Sequence, residues 1–221
     1  MNDELEFTVI SDTHYYSKKN FVDGFDKNKK PKPGQLFFSR SEEIVEHTFA
    51  CLCKNDTPDI VLISGDLTYN GERTSHDEMK AALKKLQQKG KRVYVITATH
   101  DYTTPRMPTY GIDKNDKYIE VESVKRTQLL KYYGDFGYNN AIAKHKSTMS
   151  YVAQLADGYR LFALNDDYGD PDCGFSDELM NWVKTEANNA KRDGQYIIAM
   201  THHPLVPPSP IYAAVAKGGM V

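Results

Sequence analysis

The sequence lacks a strong charge of either sign: 28 lysines and arginines stand against 30 aspartates and glutamates, for a formal net charge of -2. A chain so close to balance has no broad field for gripping nucleic acid or an anionic membrane, so any hold on phosphate must come from a local site. It also lacks any stretch approaching the roughly 20 apolar residues of a membrane span. The opening Met1-Asn-Asp-Glu-Leu-Glu-Phe7 has neither the basic flank nor the apolar run of a secretion signal. Cysteine is scarce and odd in number, with Cys51, Cys53 and Cys173 alone. The Cys51-Leu-Cys53 spacing does not match the usual paired-thiol zinc or redox motifs. Reduced, partly buried thiols are the expectation, and with them a reducing, cytoplasmic location. No internal repeat is present.

What remains is enough for a core. The 221 residues are 40% hydrophobic, a length and composition that suit one domain over 1–221. Phe7–Ile10 reads as a short buried strand, and Asp59–Ile63 and Arg92–Ile96 as further ones. Between them, helices are expected from Ser41 to about Lys54, with Ile44, Val45, Thr48, Phe49 and Leu52 on one face, and from Ser75 to Lys89, closed by Gly90. Met149–Ala156 and Tyr159–Leu164 look like strands paired around the Asp157-Gly158 turn. Phe175–Ala190 is helical, and Gln195–Met200 is another buried strand. Alternating strands and helices imply an α/β layered sheet covered by helices. The polar stretch at about 18–38 reads as a surface insertion, longer than a compact domain needs. The role of Thr103–Gly137 is not assigned by its pattern, and the tail from Pro207 to Val221 shows turn signals followed by small residues.

The chemistry sits at the strand ends. Asp12-Thr-His14 follows the first strand, Gly65-Asp66 the second, His100-Asp101 the third, and His202-His203 a later one. Ligands bind in the crevice beyond the carboxyl ends of strands in α/β sheets, because the loops converge there. Carboxylates and imidazoles meeting in one crevice repel or go unsolvated unless a cation lies between them. Any one of these residues alone is better explained as a turn former, a cap or a satisfied core histidine. Four such sites in order are not. Mixed oxygen and nitrogen donors suit Mn, Fe or Zn better than Mg or Ca.

This ordered set resembles the calcineurin-like metallophosphoesterase superfamily. Asp12-Thr-His14, Gly65-Asp66, Thr99-His100-Asp101 and His202-His203-Pro204 stand where that family has D-x-H, G-D, G-N-H-D/E and H-H-P. The extended Gly65-Asp-Leu-Thr-Tyr-Asn-Gly-Glu72 is the form typical of its bacterial members. The resemblance implies the family's sandwich of sheets flanked by helices and hydrolysis of phosphate mono- or diesters at two divalent or trivalent transition metal ions. By position, Asp12 and His14 would hold the first ion, Asp66 would bridge both, and His202 would bind the second. His100 would be the general acid for the leaving oxygen, with Asp101 either orienting it or serving only as a helix cap.

Two departures stand out. Thr99 replaces the asparagine whose amide oxygen binds the second ion in the family, and is either a weaker ligand or structural only. No Gly-His-x-His follows His203. The expectation is therefore a chain lacking the final strands of the fold, with a missing segment or a second chain completing the site. Small-molecule or nucleotide esters fit the charge balance better than nucleic acid. A catalytically impaired phosphate- or nucleotide-binding module with the same fold is the alternative, set against by His100, which such a module does not need. Tyr15, Tyr16, Tyr69 and Tyr102 flank the candidate ligands and read either as core or as pocket wall.

Overall fold

The computed structural model describes residues 4–23, 40–54, 56–167 and 173–206, with the backbone of 215–216 and 219–220. Strands β1 (Thr8–Ile10), β2 (Ile60–Ser64) and β3 (Arg92–Ile96) form a parallel sheet in the order β1-β2-β3. Helix α1 (Ser41–Leu52) connects the first pair and α2 (Arg73–Gln88) the second. A two-stranded hairpin, β4 (Gly111–Ile112) with β5 (Tyr118–Ile119), and helix α3 (Leu129–Tyr133) follow. The second sheet has the order β6-β7-β8-β9, from β6 (Ala143–His145), β7 (Ser150–Ala156), β8 (Tyr159–Ala163) and β9 (Tyr196–Met200). Helix α4 (Asp177–Arg192) links β8 to β9, which pair in parallel. A last antiparallel pair joins β10 (Val215–Ala216) to β11 (Gly219–Met220).

Strand periodicity explains the layering. In β2 the alternate residues Val61 and Ile63 pack on Val45, Phe49, Met79, Leu83 and Leu86 of α1 and α2. Ile60 and Leu62 point the other way, onto Tyr151, Leu155, Leu161 and Met200 of the second sheet. That sheet's far face, Val152 and Phe162, is covered by Leu179 and Ala190 of α4. The result is helices, sheet, sheet, helix: the α/β sandwich expected. β2 is buried along its whole length because both its faces are covered. Ser176 caps α4 by accepting the Leu179 N–H, with Asp177 and Glu178 in the first turn and Lys191 and Arg192 in the last.

Several details differ from the sequence reading. Ile44 is 52% exposed, because it lines the cavity beside Asp12 and His14 instead of packing on the sheet. β9 is not buried: it is a sheet edge, with Tyr196 68% and Ile197 43% exposed. The unassigned stretch supplies core, with Val124, Leu129, Tyr133 and Phe136 packing beneath α2. The start of the surface insertion is anchored: Lys18–Asn20 forms a short 3-10 turn, and buried Asn20 donates to Ser75. The remainder of that insertion, residues 24–39, lies outside the described residues, as does most of the tail from Pro207. The three cysteines are free thiols, and no helix among the described residues is long and apolar enough to cross a membrane.

Leu83 is fully buried between α2 and the first sheet. Leu83→Ala is expected to destabilise the fold by about 2–5 kcal/mol, the cost of lost burial plus a cavity. Denaturant unfolding checks this, with an unchanged slope.

Candidate metal centre

The parallel strands β1, β2 and β3 bring their carboxyl ends to one side, and β8 and β9 bring theirs to the same crevice. β1 and β2 stay paired beyond their last residues: Asp12 N–H donates to the Gly65 carbonyl at 3.2 Å and His14 N–H to the Asp66 carbonyl at 3.0 Å. The backbone there is bent hard. Asp12, His14 and Asp66 have φ of 55°, 39° and 52°, the left-handed region that side chains rarely adopt. Gly65, at φ 96°, cannot carry a side chain, because a Cβ would stand 2.7 Å from that of Ala98 and 3.1 Å from His202 Nδ1.

Asp66 is the centre of the arrangement. Its Oδ1 accepts the His100 backbone N–H at 3.0 Å, while its Oδ2 faces His202 Nε2 at 3.2 Å and His14 Nε2 at 3.7 Å. His202 Nδ1–H donates to the Ser64 carbonyl at 2.8 Å, which fixes the ring with Nε2 turned inward. Asp12 Oδ1 lies 3.6 Å from His14 Nε2. Two sets of donor atoms result, His14–Asp66–His100 and Asp12–Asp66–His202, each within 4.8 Å and both containing Asp66. Sequence position alone would pair Asp12 with His14 instead.

The carboxylates and imidazoles of the cluster hold one another as ion pairs. Hydrogen bonding from His14 holds Asp12 down at about 2 against the pull of burial. Burial would raise Asp66, but His202 and His100 outweigh it and hold it low. Burial likewise opposes charge on His202, and Asp66 reverses that, lifting it to about 9. A metal ion between Asp66 and His202 would displace that proton. His14 Nδ1 is buried without a hydrogen-bond partner. Strained backbone at three donors, inward-turned imidazoles and a shared carboxylate fit a pair of cations. A cavity of about 310 Å³ opens beside Asp12 and His14, walled by Ile10, Ile44, Val45 and Phe49.

His100 and Asp101 sit on a short 3-10 turn, Thr99–Asp101. Asp101 does not accept the ring proton of His100. Its Oδ1 accepts the Thr68 N–H and its Oδ2 the Ala98 N–H, both at 2.9 Å, so the carboxylate folds back locally and caps the turn. Burial and the nearby charge of Asp66 raise its pKa. The His100 Nδ1–H is shared between the Tyr69 carbonyl at 2.5 Å and Asn70 Oδ1 at 2.9 Å. Thr99 is half-buried at the head of the turn, beside the cluster.

Two carboxylates were missed from sequence. Buried Asp166 holds the histidine loop: its Oδ2 accepts the backbone N–H of His202 at 3.1 Å and of His203 at 2.8 Å. Its Oδ1 accepts from His203 Nδ1 at 3.0 Å. The signal was available, since Asn165-Asp166-Asp167 follows a strand as the other motifs do. Glu72, wholly buried, accepts the Asn70 N–H at 3.0 Å and so steadies the partner of His100. Glu72 closes the extended Gly65–Glu72 motif, which does not by itself say what the carboxylate holds.

Oxygen and nitrogen donors gathered around one shared carboxylate can hold two cations. Residues 5–217 match the calcineurin-like phosphoesterase family, and the chain belongs to that family. It is a metallophosphoesterase, a phosphoric ester hydrolase, with the family's site for two divalent metal ions. Among solved structures its fold is similar to that of a dimetal phosphatase from Danio rerio, with TM-score 0.59 at 12% identity over 90% of this chain and 70% of the other. No curated protein sequence matches the chain.

Glu72 supplies a pH test. Burial raises its carboxyl to about 7, so the folded state holds a proton that the unfolded chain releases from the ordinary glutamate range upward. Stability is therefore unaffected below the unfolded pKa, falls as pH rises towards 7, and stays reduced above it. Glu72→Gln should remove that share, up to about 3 kcal/mol. The difference in melting temperature between variant and wild type is expected to shift in the variant's favour from pH 5 to pH 8.

Proposed function

We propose that the chain hydrolyses phosphate mono- or diesters of small molecules or nucleotides, with His100 protonating the departing oxygen. The observation that carries this is the setting of His100. Its Nδ1–H is committed to the Tyr69 carbonyl and Asn70, and its ring stands edge-on to His14 at 4.7 Å between centroids. The imidazole is thereby oriented with its second nitrogen towards the Asp66 cluster, where a leaving oxygen would emerge. Asp101 and Thr68 fix the turn beneath it, and Glu72 and Asn70 fix its flank.

By the family's pattern Asp12, His14 and Asp66 would hold one ion, and Asp66, His202 and Thr99 the other, Thr99 directly or through a water, whereas the donor atoms of this fold group His14 with His100 and Asp12 with His202 around Asp66. When bound, such a pair supplies a Lewis-acid clamp on the phosphoryl group and acidifies a water for in-line attack. The donor set favours Mn, Fe or Zn. Asp166 keeps His202 in place by holding its backbone N–H. The near balance of charge favours small or nucleotide esters over nucleic acid.

The test separates ligand from acid. In elemental analysis after Mn or Zn loading, Asp66→Ala should lose both ions, because it belongs to both donor sets. His100→Ala should keep its metal and lose about 10²–10⁴-fold in kcat. Loss of metal in His100→Ala would make it a ligand and sink its role as the acid. Metal and phosphate bound by the wild type with no turnover on any ester would favour the impaired binding module.

A further inference from the structure

One position on the buried face of α2 breaks its pattern. Met79, Leu83 and Leu86 recur at helical spacing and pack towards the first sheet, and the same stripe one turn earlier holds His76, wholly buried. A polar ring at a core position costs desolvation unless its nitrogens are bonded. Both are. Nε2 lies 3.0 Å from the Asp101 carbonyl and 3.3 Å from Thr68 Oγ1, and Nδ1 lies 2.6 Å from the Tyr133 hydroxyl. A carbonyl only accepts, so Nε2 carries the proton and the Tyr133 hydroxyl donates to bare Nδ1. Burial drives the ring's pKa down to about 3, so it stays neutral and keeps this tautomer.

The three partners belong to three different parts of the chain. Tyr133 ends α3, Thr68 lies just past Asp66 beyond β2, and Asp101 closes the short turn that carries His100. Thr68 donates its hydroxyl to the His100 carbonyl at 3.1 Å and its N–H to Asp101 Oδ1 at 2.9 Å. That turn delivers two groups to the metal centre: the His100 N–H that holds Asp66 Oδ1, and the His100 ring itself. His76 braces from behind the backbone that carries both. An apolar side chain of the same size would fill the space and leave the buried Asp101 carbonyl without this donor.

We infer that His76, with its tautomer set by Tyr133, is a positioning residue for the phosphoesterase reaction. It acts through Asp101 and Thr68 on His100 and not on the reacting atoms. The kinetic consequence rests on the reading of His100 as proton donor; the placement of the turn does not.

The test reads the turn and the chemistry separately. In Zn-loaded, ¹⁵N-labelled protein, the NMR shift of the His100 backbone amide, bonded to Asp66, reports the turn. His76→Leu should move and broaden that resonance, as should Tyr133→Phe, which keeps ring and volume. His76→Gln, whose amide can donate to the same carbonyl, should restore it. Leu179→Ala, which opens a cavity beneath α4 on the second sheet, should leave it in place. Turnover compares phenyl with 4-nitrophenyl phosphate, because a departing phenoxide needs a proton more than a nitrophenoxide does. His76→Leu should lose on the order of 10–100-fold in kcat on phenyl phosphate and less on the 4-nitrophenyl ester, with KM little changed. A loss of folded protein would lower both alike. An unmoved His100 amide in both His76→Leu and Tyr133→Phe, or one that Leu179→Ala moves as far, overturns the inference. So does an ester-selective loss in His100→Ala that His76→Leu does not share. A moved amide with equal losses on the two esters in His100→Ala keeps the brace and sinks the proton-donor reading.

Discussion

Everything at the catalytic end of the molecule depends on one buried carboxylate. Asp66 ends the central strand of the first sheet, and its two oxygens receive groups from two other strand ends: the backbone of His100 after β3 and the ring of His202 after β9. Because β2 is flanked on both sides, its end can move only with the sheet. The second sheet is locked to the first by Ile60 and Leu62 on Tyr151 and Leu161. Packing between the sheets therefore sets the separation between Asp66 and His202, and a slip of one residue in that register would take the imidazole out of reach.

The supporting shell is built from carboxylates that hold backbone. Asp101 caps the His100 turn, Asp166 clasps the His202–His203 loop, and Glu72 holds the Asn70 backbone. All three are buried, and each takes backbone N–H groups that loops at strand ends leave without partners. The arrangement is costly at Asp101, whose carboxyl is raised by burial and by the nearby charge of Asp66. Cations at the centre would offset that repulsion, which links occupancy of the site to stability of the fold.

How much was legible depended on whether the signal was local. The buried strands announced themselves, since Ile60–Ile63 and Val93–Ile96 are short apolar runs bounded by turns, and the polar residues after them followed in order. Asp66 and His202 were singled out by that order together with the family resemblance. The role of Asp101 stood between two readings, orienting His100 or capping the turn, and only the fold shows the carboxylate reaching back three residues to Ala98. Tyr110 and Tyr118 were invisible for a different reason. Nothing in the polar stretch containing them shows that a hairpin packs them on each other, with Tyr110 against Tyr69. β9 misled because an apolar run reads the same at a sheet edge as in its centre.

The left-handed backbone at Asp12, His14 and Asp66 has a consequence for descent. Each such residue carries roughly 1 kcal/mol of strain that glycine would not. Drift acting on stability alone would therefore exchange these three for glycine and gain a firmer fold with no chemistry. A lineage that had stopped using the crevice would be free to take that route. Keeping all three as side-chain donors therefore holds the fold below the stability that glycine at those positions would give it.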